Sequence, residues 1–250
     1  MAEAVTGPSH KSLFRLAYAF LALAFWLSVA GFAYLMTRPN HSRPLVWSAW
    51  KPSDRGLMGA HEIASRVAAK YKLPSGGELA AIQEHVPAIQ GLKLEAIGVQ
   101  RASQDGRIGS YVALFATSNT LIYAFCGLQA NCAIGGADTV PRQRTLRREA
   151  LELSLYAFKY LGVEQVVSLV QSTKSSGTSA VFLRKSSFRP ELQHPLNETL
   201  PLSTPPPSNA SDPKEAAVID ALTIPNTFPA HFEPLPDGDA IILLNVATQT

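Results

Sequence analysis

Hydrophobic and polar positions change period several times along this chain, and the changes divide it. From Leu16 to Met36 there is no alternation, because LAYAFLALAFWLSVAGFAYLM carries no charge and is bracketed by Arg15 and Arg38. A helix rises about 1.5 Å per residue and needs about 20 apolar residues to cross a hydrocarbon core of about 30 Å. The pattern therefore predicts a transmembrane signal-anchor helix over 16–36, preceded by a tail over 1–15. A cleaved secretory signal is the competing reading, with basic Lys11 and Arg15 ahead of the apolar run and small residues Ser28, Val29 and Ala30 before Gly31. Signal-peptide apolar cores run about 7 to 15 residues, shorter than this segment, so a retained anchor is favoured.

Residues 37–56 contain Pro39, Pro44 and Pro52 and read as an extended juxtamembrane linker, whose Trp47 and Trp50 either rest at lipid headgroups or pack on the domain that follows. From Leu57 to Lys72 the apolar residues Ala60, Ile63, Ala64, Val67 and Tyr71 recur at helical spacing and predict an amphipathic helix, stopped by Pro74, Gly76 and Gly77. Glu78–His85 reads as one short further helix. Runs rich in β-formers then predict strands over Leu92–Arg101, Ile108–Thr117 and Thr120–Cys126, joined by hairpin turns at Asp105–Gly106 and Ser118–Asn119.

A helix is expected from about Thr145 to Leu161, with Leu146, Ala150, Leu153, Ala157 and Tyr160 on one stripe and Gly162 ending it. Strands are expected over Val163–Val170 and Ser179–Phe188. Residues 189–236 hold eleven of the eighteen prolines and are expected to wrap the domain without regular sheet. One short helix interrupts that wrap, with Asp212 as cap, Pro213 at the first position and Glu215 completing a capping box. After an Asp237–Gly238 turn, the apolar run Ala240–Val246 predicts a strand buried on both faces. The expected fold is α+β: a single N-terminal transmembrane helix, then one mainly antiparallel sheet domain over 57–250 with packed helices and a proline-rich wrap.

Composition adds two constraints. A hydrophobic content of 46% and a charged content of 16% argue against a disordered remainder. A net charge of +3, without zinc-finger, basic-zipper or aromatic RNA-binding patterns, excludes nucleic acid as the expected partner. The two cysteines, Cys126 and Cys132, are separated by five residues, which matches neither the C-x-x-C redox pattern nor common zinc knuckles. A disulfide in an oxidising compartment is expected, placing the large C-terminal domain on the extracytoplasmic side of the plasma membrane. Flanking charge points the other way, with Lys11 and Arg15 before the helix and Arg38, Arg43, Lys51 and Arg55 after it, but long domains translocate largely regardless of that count.

Catalytic patterns fail on inspection. His61 and Glu62 open HEIAS, yet Ser65 stands where a zinc-protease helix needs a second imidazole, and the six histidines show no paired ligand spacing. No serine sits in G-x-S-x-G; Ser175–Ser179 reads as a turn, and Gly135 and Gly136 lack the context of a phosphate loop. Glu149 and Glu152 share a helix face and are expected in surface ion pairs with nearby arginines. No catalytic, metal or cofactor residue is assigned.

The sharpest local feature is PRQRTLRR, which gathers Arg142, Arg144, Arg147 and Arg148 where a helix dipole disfavours cations. These four form a candidate anion-binding site for a phosphate, an acidic polymer or lipid headgroups, against the blander reading of a solvated basic stretch. The expected function is a non-enzymatic, membrane-anchored binding or envelope-organising module, whose partner is an envelope protein or an anionic envelope component. The alternatives are a membrane-bound hydrolase with a dispersed site, and a structural subunit whose Ser28 and Gly31 let membrane helices approach. A deep pocket with converging polar groups favours the enzyme, and a flat exposed apolar or basic patch favours binding.

Overall fold

The computed structural model describes residues 10–37, 46–73, 75–85, 88–89, 92–102, 108–127, 134, 139–171, 177–205 and 212–245. It divides into two compact units, Met1–Leu45 and Val46–Thr250. The first contains helix α1, His10–Thr37. Within it, Phe14–Tyr34 is long and apolar enough to cross a membrane, and its large side chains, among them Phe20, Trp26 and Phe32, are exposed. Ser28 keeps its hydroxyl satisfied inside the helix by donating to the Ala24 carbonyl at 2.9 Å.

The second unit is α+β. Its strands are β1 Ala81–His85, β2 Ala88–Ile89, β3 Leu92–Ala102, β4 Ile108–Ala116, β5 Thr120–Cys126, β6 Gln165–Gln171, β7 Thr178–Arg184, β8 Thr227–Pro234 and β9 Ala240–Leu244. Eight of them form one mixed sheet in the order β1-β5-β6-β7-β8-β9-β3-β4, with β2 a two-residue hairpin partner at the start of β3. The pairs β5–β6 and β3–β9 are parallel and the others antiparallel. Its helices are α2 Leu57–Ala68, α3 Val140–Tyr156, α4 Arg189–Gln193, α5 Leu196–Thr199 and α6 Pro213–Thr223.

The sheet curls. Inner-face residues Ile122 on β5, Val167 on β6, Phe182 on β7, Ala230 on β8, Ile242 on β9 and Ile97 on β3 belong to one buried cluster, although β5 and β3 are separated by four intervening strands. Phe115 of edge strand β4 reaches across to Phe182 with ring centroids 5.2 Å apart. The outer face of the β1-β5-β6-β7 half is covered by α2 and α3, which bury Ile63, Val67, Leu151, Leu153 and Leu155 against Tyr123, Phe125, Val166 and Leu183. α3 is the crossover between parallel strands β5 and β6 and is buried on every side from Arg148 to Tyr156.

The domain begins ahead of the expected boundary at 57. Trp47 is buried, with its ring edge-on to Tyr156 and Tyr160 at 5.3 and 5.6 Å and its indole N–H donating to the Glu191 carbonyl at 3.0 Å. Trp50 stands 5.5 Å from Tyr156. Of the two readings of these tryptophans, packing on the domain is the one observed.

Several local expectations are corrected. Residues 81–85 form a strand, not a helix, because β1 pairs with β5 along its whole length, and five residues without a helical period yield to that ladder. Ser118–Asn119 lie in a single 3₁₀ turn but do not close a hairpin, since β5 pairs with β1 and β6 and leaves β4 beside β3. The Asp105–Gly106 turn lies outside the described residues.

The proline-rich segment holds more regular structure than expected: α4, α5, α6 and an interior strand, β8, that contains Pro229 and Pro234. Both prolines sit where the β8–β9 ladder ends, Pro234 opposite Ala240 and Pro229 accepting from Asn245 N–H at 3.0 Å, so few ladder bonds need their missing donor. β9 is not buried on both faces, because Ile241 and Leu243 are only half buried while Ala240, Ile242 and Leu244 fill the inner cluster.

Candidate functional site

The arginine run lies on α3 itself, which starts at Val140, five residues before the expected position, with Pro141 in its first turn. Arg144 donates to Asp220 Oδ2 from Nε at 2.9 Å and Nη2 at 2.5 Å, and Arg147 donates to Asp220 Oδ1 at 2.5 Å and to the Thr223 hydroxyl at 3.1 Å. Arg148 is buried. It donates to Glu215 at 2.8 Å, to the Tyr71 hydroxyl at 2.6 Å and to the Leu202 carbonyl at 2.6 Å, with Glu152 at 3.4 Å. Arg142 is half-exposed in the first turn.

The electrostatic oddity of cations at a helix start thus has an internal account: α6 supplies Asp220 and Glu215, and the guanidiniums tie α3 to it. Beside them lies a cavity of about 20 Å³ lined by Arg144, Arg148, Pro205, Glu215 and Ile219. That is room for roughly one water, which needs about 10–15 Å³, and not for a phosphate group. Glu215 does not close a capping box at the start of α6, because its carboxylate is committed to Arg148; Asp212 does cap, accepting from Lys214 N–H at 2.8 Å.

Glu149 and Glu152 are not surface pairs. Glu152 is buried and accepts from the Tyr71 hydroxyl at 2.8 Å and from the Lys70 ammonium. Glu149 is completely buried, and neither of its oxygens has a hydrogen-bond partner. Burial, followed by the negative neighbours Glu152 and Glu78, pushes its carboxyl well above the usual range. Burial likewise pushes the Tyr71 phenol up.

His61 and Glu62, which open HEIAS, resolve into local contacts. Glu62 accepts from Ser53 N–H at 2.6 Å and from its hydroxyl, and His61 Nδ1 lies 2.9 Å from Glu84. Glu95, Asp237 and Asp239 converge at the exposed β8–β9 turn, where Lys93 already pairs with Asp239 at 3.2 Å. Cys126 closes β5 with a buried side chain; Cys132, Gly135, Gly136 and Ser175 lie outside the described residues.

Asp220 shows how such pairs should titrate. The Arg144 hydrogen bonds, and then those of Arg147, hold its carboxyl below the ordinary value of 3.8. A depressed folded pKa contributes stability above the unfolded value, and that contribution is lost as pH falls through the folded one. Asp220→Asn is therefore expected to lower stability by about 1 kcal/mol or less at about pH 7, the range of partly screened ion pairs. In urea titrations the difference from wild type should shrink as pH falls below about 3.8, toward the depressed folded pKa.

A different surface carries the clearer functional signal. On the half of the sheet away from α2 and α3, register places Gly98 between Leu114 on β4 and Leu243 on β9, and Ala96 between Ala116 and Ile241. Leu114 is 68% exposed and its neighbour Val112 45%. Gly98 keeps the middle low, since a Cβ there would meet Leu243 Cδ2 at 2.7 Å and Val112 Cγ1 at 2.8 Å. β4 is also an edge of the eight-stranded sheet, and its sequence IGSYVALFA carries neither charge nor proline to discourage pairing. The sequence reading missed this face because Val112 and Leu114 alternate with Ala113 and Phe115, so both sides of β4 are apolar.

Comparison of the chain with protein-family models, curated proteins and solved structures finds no match.

Proposed function

We propose that this chain is a single-pass membrane protein whose α1 anchors a non-enzymatic domain at the plasma membrane, and that the domain binds another envelope protein through the exposed β9–β3–β4 face. The observation that carries the reading is Leu114 with Val112, large apolar side chains held exposed on the sheet surface along a chargeless edge strand. Isolated exposed apolar residues are ordinary, but a contiguous apolar strip of this kind marks protein contact surfaces.

The buried polar groups support the same choice over a hydrolase. Arg144, Arg147, Arg148, Glu152, Glu215 and Asp220 are committed to one another, to Lys70, Tyr71 and Thr223 or to the backbone, and the space beside them is water-sized. The arginines brace α3 against α6, and Glu152 ties α3 to the end of the α2 segment. With only two cysteines, separated by five residues, the domain is read as facing the extracytoplasmic side.

Leu114→Lys tests the reading. Its side chain already faces solvent, so thermal stability should stay within about 0.5 kcal/mol of wild type. Co-purification of the partner from native membranes should be lost, because a charge would have to be desolvated in the contact. Undiminished co-purification by the folded variant would defeat the proposed face.

A further inference from the structure

The buried centre of the helical layer holds one acid more than its counter-charges. Arg148 and Lys70 oppose Glu152 and Glu215, two cations against two carboxylates, and that set is balanced without Glu149. Glu149 stands one residue from Arg148 on the same helix, fully buried, with both oxygens unpartnered. Glu152 on α3, Glu78 ahead of β1 and the Tyr71 phenol just past α2 act on it, and through Tyr71 and Glu152 the cluster continues to Arg148, Lys70 and Glu215. The helix-covered face of the sheet adds the neutral Tyr123 and Ser168. Glu78 is itself paired with Lys72 at 3.3 Å, so no free cation faces Glu149 among the described residues.

The segment between α2 and β1 brings Lys70, Tyr71 and Glu78 to this cluster. It is a tight turn through Gly76, at φ 85°, held by Leu73 N–H to Gly77 carbonyl at 2.7 Å and Leu79 N–H to Tyr71 carbonyl at 3.0 Å. Parting it from α3 breaks the bonds of Tyr71 and Lys70 to Glu152 and Arg148 but leaves the β1–β5 pairing, which begins at Ala81, intact.

We propose that Glu149 is a proton-operated latch: neutral, it lets α3 pack against the α2–β1 segment, and its deprotonation releases that contact by admitting water to the carboxylate. The direction follows from burial. A carboxyl whose folded pKa is raised above its ordinary 4.5 contributes stability that is fully present below that value and is lost as pH rises through the folded pKa. This is opposite in sign to Asp220, so the two groups act at different ends of the pH range and on different contacts.

Amide hydrogen exchange on the full chain in detergent micelles, corrected for the intrinsic pH dependence of exchange, reads the latch directly. Between about pH 5 and about pH 9 the opening constant of residues 69–80 should rise by about tenfold per pH unit, until the folded pKa is passed. Glu149→Gln keeps the shape and removes the charge, and Glu149→Leu removes the polar atoms as well. Either variant should hold that segment closed across the same range. The same slope in wild type and in a folded variant would overturn the proposal. So would a flat wild-type profile, or opening spread evenly over α3 and the sheet and not centred on 69–80.

Discussion

Replacing Arg148 by alanine is expected to destabilise the domain by about 3–5 kcal/mol, the cost of removing one partner from a buried ion pair. Arg148 is 3% exposed and neutralises Glu215 at 2.8 Å while donating to the Tyr71 hydroxyl and the Leu202 carbonyl. Without it, Glu215 and Glu152 are left buried, with Lys70 alone to oppose them. Urea denaturation of the full chain at neutral pH measures the loss. Pairing Arg148→Met with Glu215→Leu should recover much of it, because both charges leave together and the contact becomes apolar. A single variant within about 1 kcal/mol of wild type would mean that the arginine does not bind α3 to α6 as described.

Gly59→Val is expected to cost about 3 kcal/mol or more, for a reason of pure geometry. A Cβ at Gly59 would lie 2.1 Å from the Asp54 carbonyl oxygen and 2.8 Å from its carbon, with Leu161 Cδ2 at 3.0 Å. Backbone atoms cannot swing aside as a side-chain tip can, so the loop ahead of α2 must move, and overpacking of buried sites typically costs about 1–3 kcal/mol even where neighbours yield. Gly98→Ala is the natural comparison, since its added atom meets side chains and not backbone, those of Leu243, Val112 and Leu114. Thermal denaturation should therefore rank Gly59→Val well below Gly98→Ala.

How much of this was legible in the sequence depended on whether neighbours along the chain or across it decided the outcome. The helix at 16–36 could be read because freedom from charge over that length is a local property. α2, β3, β5, β6 and the Gly162 stop of the central helix were readable for the same reason, and Gly162 does take a left-handed φ of 76°.

β1 was misread because AIQEH has no decisive period, and its register on β5 comes from residues some forty positions later. The arginines were legible as a cluster but not as a brace. Asp220 lies 76 residues beyond Arg144 and Glu215 67 beyond Arg148, and in the sequence Glu215 looked like half of a capping box. Glu149 could not be told from Glu152 by spacing; only the packing of α3 on all sides separates a paired carboxylate from an orphaned one.

The apolar face over β9, β3 and β4 was hidden by the same kind of ambiguity. A strand apolar on both sides is the pattern of a fully buried strand, and only the placement of α2 and α3 on the other half of the sheet leaves Leu114 in solvent.

The most direct measurement is photo-crosslinking in native membranes, with the reactive group placed at position 114 in one variant and at position 193, an exposed site on α4, in another. A binding domain that uses the β9–β3–β4 face should give a discrete adduct with another envelope protein from position 114 and none from 193. Equal labelling from both positions, or no adduct from 114 in a folded, membrane-inserted protein, would contradict it.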